Sequence, residues 1–78
     1  MNTKLTSTKK MIQACKDSLA KNEYNLRKIR GISMSHSDVE TAILYGETIL
    51  QNGTYSGILM HPRGAVQELM GAFNLLEV

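Results

Sequence analysis

Apolar side chains recur at helical spacing through the first third of the chain. The series that sets this spacing consists of Ile12, Cys15, Leu19, Leu26 and Ile29. Asn22 fills the one gap in intervals that alternate between three and four residues. Such a heptad-like seam predicts a long amphipathic helix from about residue 8 to residue 30, ended by Gly31. Asn22 either fixes the register of an oligomer or occupies a helix surface position.

A second helical pattern occupies the middle of the chain. Its apolar positions are Val39, Ala42, Ile43, Ile49 and Leu50. Ser37 and Glu40 have the spacing of a capping box, and Asn52-Gly53 supplies a stop, so we expect a helix over residues 38–51. Gly46 lies on its apolar face. A glycine there indicates either the close approach of another helix backbone or mere tolerance of a small destabilisation.

The last third is less regular. Residues 54–60, "TYSGILM", keep neither the helical nor the strand period and predict a linker with a possible short strand. A lone strand would have to pair with another chain. Pro62 suits the first turn of a third helix that ends near residues 72–75. The sequence thus predicts one all-α domain over residues 1–78: a small bundle of about three helices, the first long and basic, with residues 1–7 flexible.

The start of the third helix, "HPRG" at residues 61–64, allows two interpretations. In the ordinary one, Pro62 only begins the helix. In the functional one, Arg63, Gly64 and the N–H groups of the first turn bind a phosphate or a carboxylate. A single Arg-Gly pair is far less specific than a complete glycine-rich phosphate loop. We therefore keep Arg63 and Gly64 as a weak candidate anion site.

Charge is distributed unevenly along the chain. Residues 1–31 carry eight basic and two acidic side chains, whereas residues 32–78 carry one basic and five acidic ones. The two halves have opposite signs, although the net charge is only +2. Such halves either meet each other, within or between chains, or face different partners.

The sequence offers no catalytic, metal or cofactor signature. Cys15 lies on the apolar seam, where a cysteine behaves as a small hydrophobe. His36 is flanked by two serines, but adjacent residues cannot converge as a catalytic triad does. His36 and His61 show none of the spacings typical of zinc ligands. We expect no enzyme activity, no metal and no cofactor.

Compartment and membrane association follow from what the chain lacks. Its longest apolar runs are far shorter than the roughly 20 residues of a membrane-spanning helix. The first ten residues show no signal-peptide pattern, and a single cysteine cannot form an internal disulfide. We expect a cytoplasmic protein without membrane insertion.

These observations favour a small non-enzymatic regulator that inhibits or redirects a partner protein with an acidic surface. A chain this short has little core of its own, which also favours a homo-oligomer. The predicted contacts are the apolar Ile12, Leu19 and Leu26 and the basic Lys16, Lys21, Arg27, Lys28 and Arg30. The alternative is a nucleic-acid-binding protein that uses the same basic residues.

Two resemblances are compatible with the regulator interpretation. The helix, loop and capped helix resemble small helical-hairpin regulators that inhibit bacterial phosphorelay proteins, but their serine–glutamine–x–x–aspartate core is absent at "LYGETIL". In size and composition the chain is similar to small accessory regulators of bacteria or bacteriophages, which bind one protein partner.

Overall fold

The computed structural model describes residues 3–21 and 26–77 of the chain. Its elements follow in the order α1 (Thr3–Lys21), β1 (Leu26–Ile29), β2 (Ile32–Ser35), α2 (His36–Asn52) and α3 (Gly64–Ala72). The prediction of an all-α fold is therefore wrong. In the part of the chain that the structure describes, three helices accompany a two-stranded antiparallel sheet, which makes this a small mixed α/β domain.

The hairpin replaces the C-terminal end of the predicted first helix, from residue 26 onward. α1 begins at Thr3 and ends at Lys21, and β1 and β2 pair with Ile29 opposite Ile32. Arg30 and Gly31 form the two-residue turn with φ angles of 53° and 81°. Tight hairpin turns require positive φ at these positions, and glycine adopts it without strain. Asn22, the expected register position, lies outside the described residues.

A capping box starts α2 two residues earlier than predicted. The Ser35 hydroxyl accepts from the Asp38 N–H at 3.0 Å, and the Asp38 carboxylate accepts from the Ser35 N–H at 3.2 Å. The predicted box of Ser37 and Glu40 is wrong, because the same serine–x–x–acid spacing occurs first at Ser35. The predicted stop is confirmed: Gly53 has a φ of 79° and donates its N–H to the carbonyl of Ile49.

Helices α1 and α2 pack closely at Gly46. A Cβ atom on Gly46 would lie 2.6 Å from Cγ1 of Ile12 and 3.2 Å from Cε of Met11. The neighbouring helix does approach here, but the atoms that meet Gly46 belong to side chains and not to the backbone. The absence of a side chain at Gly46 thus sets the distance between the two helices.

Segment 53–63 joins α2 to α3 without any strand. The prediction of a possible short strand at residues 54–60 is therefore wrong, because turns and bends occupy that stretch. α3 begins at Gly64, two residues after the predicted start, and ends at Ala72, within the predicted limit. All elements contribute to one core. Its buried members are Met11, Cys15, Ile29, Met34, Val39, Ala42, Tyr45, Ile49, Tyr55, Val66, Leu69, Met70, Phe73 and Leu75.

Candidate functional site

The predicted apolar contact residues occupy different environments. Ile12 is only 7% exposed and packs in the α1–α2 interface, so it serves the core. Leu19 is partly buried against that core. Leu26, by contrast, is 66% exposed on the hairpin. Of the three, the structure leaves Leu26 the most accessible to a partner.

The predicted basic residues are divided between α1 and the hairpin. Lys16 and Lys21 are exposed on α1, and Lys28 is exposed on β1. Arg30 is exposed at the turn, where its guanidinium lies 4.6 Å from the centre of the Phe73 ring, within reach of a cation–π interaction. These basic side chains are exposed to solvent, but they lie on a helix and a hairpin and not on one flank of a single helix.

Arg27 departs from this pattern because its side chain points inward. It is 4% exposed, and its Nη2 lies 3.1 Å from Nδ1 of His36. Within residues 3–21 and 26–77, its Nε and Nη1 have no hydrogen-bond partner. A buried guanidinium with unpaired donors reduces stability. The alternation of buried and exposed positions along β1 places Arg27 on the core side.

The most exposed large apolar side chain of the described residues, Leu59, lies on the connection between α2 and α3, residues 53–63, here called the apolar loop. Leu59 is completely exposed, and its neighbour Met60 is 58% exposed. Sequence reasoning missed both as contact residues. The available signal was the run "ILM" in a segment that follows neither period. A contiguous exposed apolar patch marks an interaction surface, whereas isolated apolar residues are ordinary, and Leu59 and Met60 are adjacent in the chain.

Tyrosine hydrogen bonds hold the apolar loop. The Tyr45 hydroxyl donates to the carbonyl of Met60 at 2.5 Å, which ties the loop to α2. The Tyr55 ring packs against Tyr45 edge to face, with 5.4 Å between ring centres. The Tyr55 hydroxyl accepts from the Glu77 N–H at 2.9 Å and lies 3.2 Å from Nδ1 of His61. Both tyrosines are buried, so the loop has a fixed base.

Glu77 fastens the other end of this loop. Its carboxylate accepts from the Thr54 hydroxyl and from the Tyr55 N–H, and it lies 3.6 Å from Nζ of Lys4. The hydrogen bond from Thr54, followed by the Tyr55 N–H and the Lys4 charge, lowers the pKa of Glu77 against a smaller opposing effect of burial. Lys4 also donates to the carbonyl of Gly53 at 2.9 Å. The loop is thereby joined to α1 and to the C-terminal segment.

A cleft of about 220 Å³ opens between the apolar loop, the start of α3 and the N-terminal half of α2. Its lining residues are Asp38, Thr41, Tyr45, Met60, His61, Pro62, Arg63 and Val66. Tyr45, Met60, Pro62 and Val66 provide predominantly apolar walls. The polar groups Asp38 and Thr41 and the polar groups His61 and Arg63 come from two segments that are twenty residues apart in sequence.

Arg63, one of the two predicted anion-binding residues, contributes to this cleft. It is the N-cap residue of α3 and makes no side-chain capping bond. Among the described residues Lys4 lies 3.6 Å from Glu77 and His36 lies 3.6 Å from Glu40, and Arg63 has no such acidic partner. Burial and the neighbouring Tyr55 raise the pKa of Tyr45, and the positive charge of Arg63 partly opposes that rise. Gly64 does not line the cleft; its φ of 55° shapes the turn into α3.

Other chemistry has little support in the described part of the chain. No group of three His, Cys, Asp or Glu side chains is placed to hold a metal ion there. Burial raises the pKa of the Cys15 thiol to about 11, which keeps it protonated and a poor nucleophile at neutral pH. No helix in the described ranges is long and apolar enough to cross a bilayer.

Comparison of the chain with protein-family models, curated proteins and solved structures gave no match. The loop and the cleft therefore provide the basis for a functional proposal.

Proposed function

We infer that this chain is a non-enzymatic regulatory protein that binds a partner protein through the apolar loop and thereby inhibits or redirects it. The observation that supports this most is the complete exposure of Leu59 beside the 58% exposed Met60. Burying a leucine or methionine side chain stabilises a complex by roughly 1.5–3 kcal/mol. A partner that covers both residues would gain a substantial part of its affinity from them.

The attachment of the loop supports the same proposal. Binding costs less when the contact residues are already ordered, because less conformational freedom is lost. Tyr45 fixes the carbonyl of Met60, and Tyr55 fixes the chain four residues before Leu59. Leu59 and Met60 thus resemble preformed anchor residues more than the tip of a loose loop.

The basic surface favours an acidic partner. Lys16, Lys21 and Lys28 are exposed. The acidic residue next to Lys16 in the chain, Asp17, accepts a hydrogen bond from Gln13 at 2.8 Å. Positive charge outside an apolar contact raises the association rate with a negatively charged surface. A cytoplasmic location, which the single free cysteine favours, and self-association belong to the same proposal.

Affinity capture with matched variants tests it. Tagged wild-type protein would be compared with Leu59→Ser and with Leu44→Ser, since Leu44 is 54% exposed on α2, outside the loop. We expect one protein to be recovered with wild type and with Leu44→Ser, and to be lost with Leu59→Ser. Equal recovery with all three baits would contradict a role for the loop.

Nucleic-acid binding is the second candidate function, and the exposed lysines favour it. Lys9, Lys10 and Lys16 lie on the solvent-facing side of α1, and no described acidic side chain pairs with them. Phosphate contacts of this kind make affinity fall steeply with salt. The test is binding to a DNA or RNA oligonucleotide at two salt concentrations, with Lys16→Glu beside Leu59→Ser. Loss with Lys16→Glu alone would favour this alternative.

A further inference from the structure

We propose that the cleft beside the apolar loop binds a peptide segment of the partner in which an apolar side chain is followed by a carboxylate side chain. The apolar side chain would enter the cleft, and the carboxylate would pair with Arg63. This inference rests on the proposed function, because it assigns the chemistry of the segment that the same surface recognises.

The size of the cleft favours one bound side chain over a complete small-molecule ligand. Pockets for complete small-molecule ligands measure about 300–1,000 Å³. The present cleft, at about 220 Å³, is smaller than these, but it has apolar walls formed by Tyr45, Met60, Pro62 and Val66. A leucine-sized side chain of a peptide fits this description better than a free metabolite.

The hydrogen-bond donors and acceptors at the rim of the cleft indicate which group lies next to the apolar side chain in the bound peptide. The Thr41 hydroxyl donates to the carbonyl of Ser37 at 2.9 Å, and one oxygen of Asp38 accepts from the Ser35 N–H. The Thr41 proton and this Asp38 oxygen are therefore engaged within α2 and its cap, and the second Asp38 oxygen leaves an acceptor at the side of the cleft formed by α2.

Arg63 and His61 are the donors that face outward. The exposed His61 places Nδ1 3.2 Å from the Tyr55 hydroxyl, and in the tautomer that accepts from this hydroxyl the ring carries its proton on Nε2, which is then a donor. Arg63 adds an exposed cation without an ion pair in the described ranges. A cation and a second donor are complementary to a carboxylate, which pairs well with a guanidinium.

A second copy of this chain matches the cleft less well. Leu59, its most exposed apolar residue, is followed by Met60 and His61 and not by an acid. Leu76–Glu77 has the required order, but the Glu77 carboxylate is bound to Thr54 and Lys4. A nucleic-acid strand would leave the apolar walls without a counterpart. The charge complementarity therefore favours an acidic peptide.

Amide chemical-shift mapping tests this directly, because weak binding is visible at millimolar ligand. The probe is N-acetyl-Leu-Glu-amide, with N-acetyl-Leu-Gln-amide and N-acetyl-Ala-Glu-amide as controls. We expect shifts confined to residues 38–45 and 60–66, and affinity weakened about two- to fivefold by the glutamine peptide. Arg63→Gln should weaken binding of the Leu-Glu peptide equally, whereas Lys28→Gln, at an exposed site on β1, should not.

Several results would overturn the proposal. These are no shift at the cleft, equal affinity for the Leu-Glu and Leu-Gln peptides, or unchanged affinity in Arg63→Gln with an otherwise native spectrum. Cleft shifts that grow with protein concentration alone would identify a second copy as the occupant, and identical shifts with a dinucleotide would identify a phosphate ligand. Failure of the peptide would leave Leu59-dependent capture unaffected, so the two proposals fail separately.

Discussion

Replacing Gly46 with alanine should destabilise the protein although alanine is the better helix former. The added Cβ would lie 2.6 Å from Cγ1 and 3.0 Å from Cδ1 of Ile12. Cδ1 is able to rotate away, but Cγ1 is attached to the stiff β-branched carbon, so α1 and α2 must separate. Overpacking of this kind costs about 1–3 kcal/mol, and the helix preference of alanine returns at most about 1 kcal/mol.

With the full helix preference returned, the expected net loss for Gly46→Ala is about 0–2 kcal/mol in the free energy of unfolding. For a domain of this size that corresponds to a melting temperature lower by roughly 4–8 °C per kcal/mol. Urea and thermal unfolding followed by circular dichroism would measure both quantities.

Gly71→Ala is the matched control. Its Cβ would meet only Cδ1 of Leu76, at 3.4 Å, the flexible end of a side chain. We expect Gly71→Ala to be neutral or to stabilise by up to about 1 kcal/mol. The double variant Ile12→Ala with Gly46→Ala should be less unstable than the sum of the single changes, because the clash is gone. A Gly46→Ala protein more stable than wild type by about 1 kcal/mol, the unopposed helix preference of alanine, would refute the close packing of the two helices.

Three further outcomes follow from the structure. Arg27→Met should raise the free energy of unfolding by about 1–4 kcal/mol in a urea titration, because it removes a buried charge with unpaired donors; a loss of stability would show that the guanidinium is compensated. Because the folded-state pKa of Glu77 is below its ordinary 4.5, its stabilisation is present above that value and is lost as pH falls through the lowered pKa. Glu77→Gln should therefore reduce stability at neutral pH and flatten the acid limb of stability against pH, and an unchanged limb would argue against the Lys4–Glu77–Thr54 network. Leu59→Ser should leave thermal stability within about 0.5 kcal/mol of wild type, since Leu59 buries nothing, and a larger loss would mean that the loop packs more closely than described.

The sequence was informative where local signals agree. Helix α2 has an apolar face, a serine–x–x–acid start and an Asn-Gly stop, and each of these acts within a few residues. The predicted range, 38–51, differs from the observed 36–52 by two residues at the start and one at the end. The error there arose because Ser35 and Ser37 both have an acid three residues later.

The hairpin was missed because two signals conflict over residues 26–35. Leu26 and Ile29 continue the helical spacing of α1, but in the hairpin Leu26 is exposed and Arg27 is buried. A pattern reading that places leucine inside and arginine outside cannot recover this arrangement. The turn at Arg30-Gly31 was the local sign of a hairpin. Whether the segment continues the helix or forms a hairpin is decided only by the pairing of the two short strands.

The cleft and the exposed loop could not be obtained from local patterns. Leu59 is exposed because of how the apolar loop packs on α2. Tyr45 fixes that packing through its hydrogen bond to Met60, fifteen residues later in the chain. Arg63 was identified as a candidate donor, but its association with the apolar walls near Tyr45 is a tertiary feature. Ile12 was predicted to contact a partner but lies in the core. This too is a tertiary feature, because Gly46 has no side chain and Ile12 packs against it.

Position-specific crosslinking in the producing cells tests partner binding through the apolar loop most directly. A photoreactive amino acid would replace Leu59 in one variant, Leu44 in a second and Lys16 in a third, and adducts would be identified by mass spectrometry. Our account predicts one protein adduct at position 59 and none at position 44. Equal adducts at both leucine positions, or nucleic-acid adducts at position 16 with none at position 59, would contradict it.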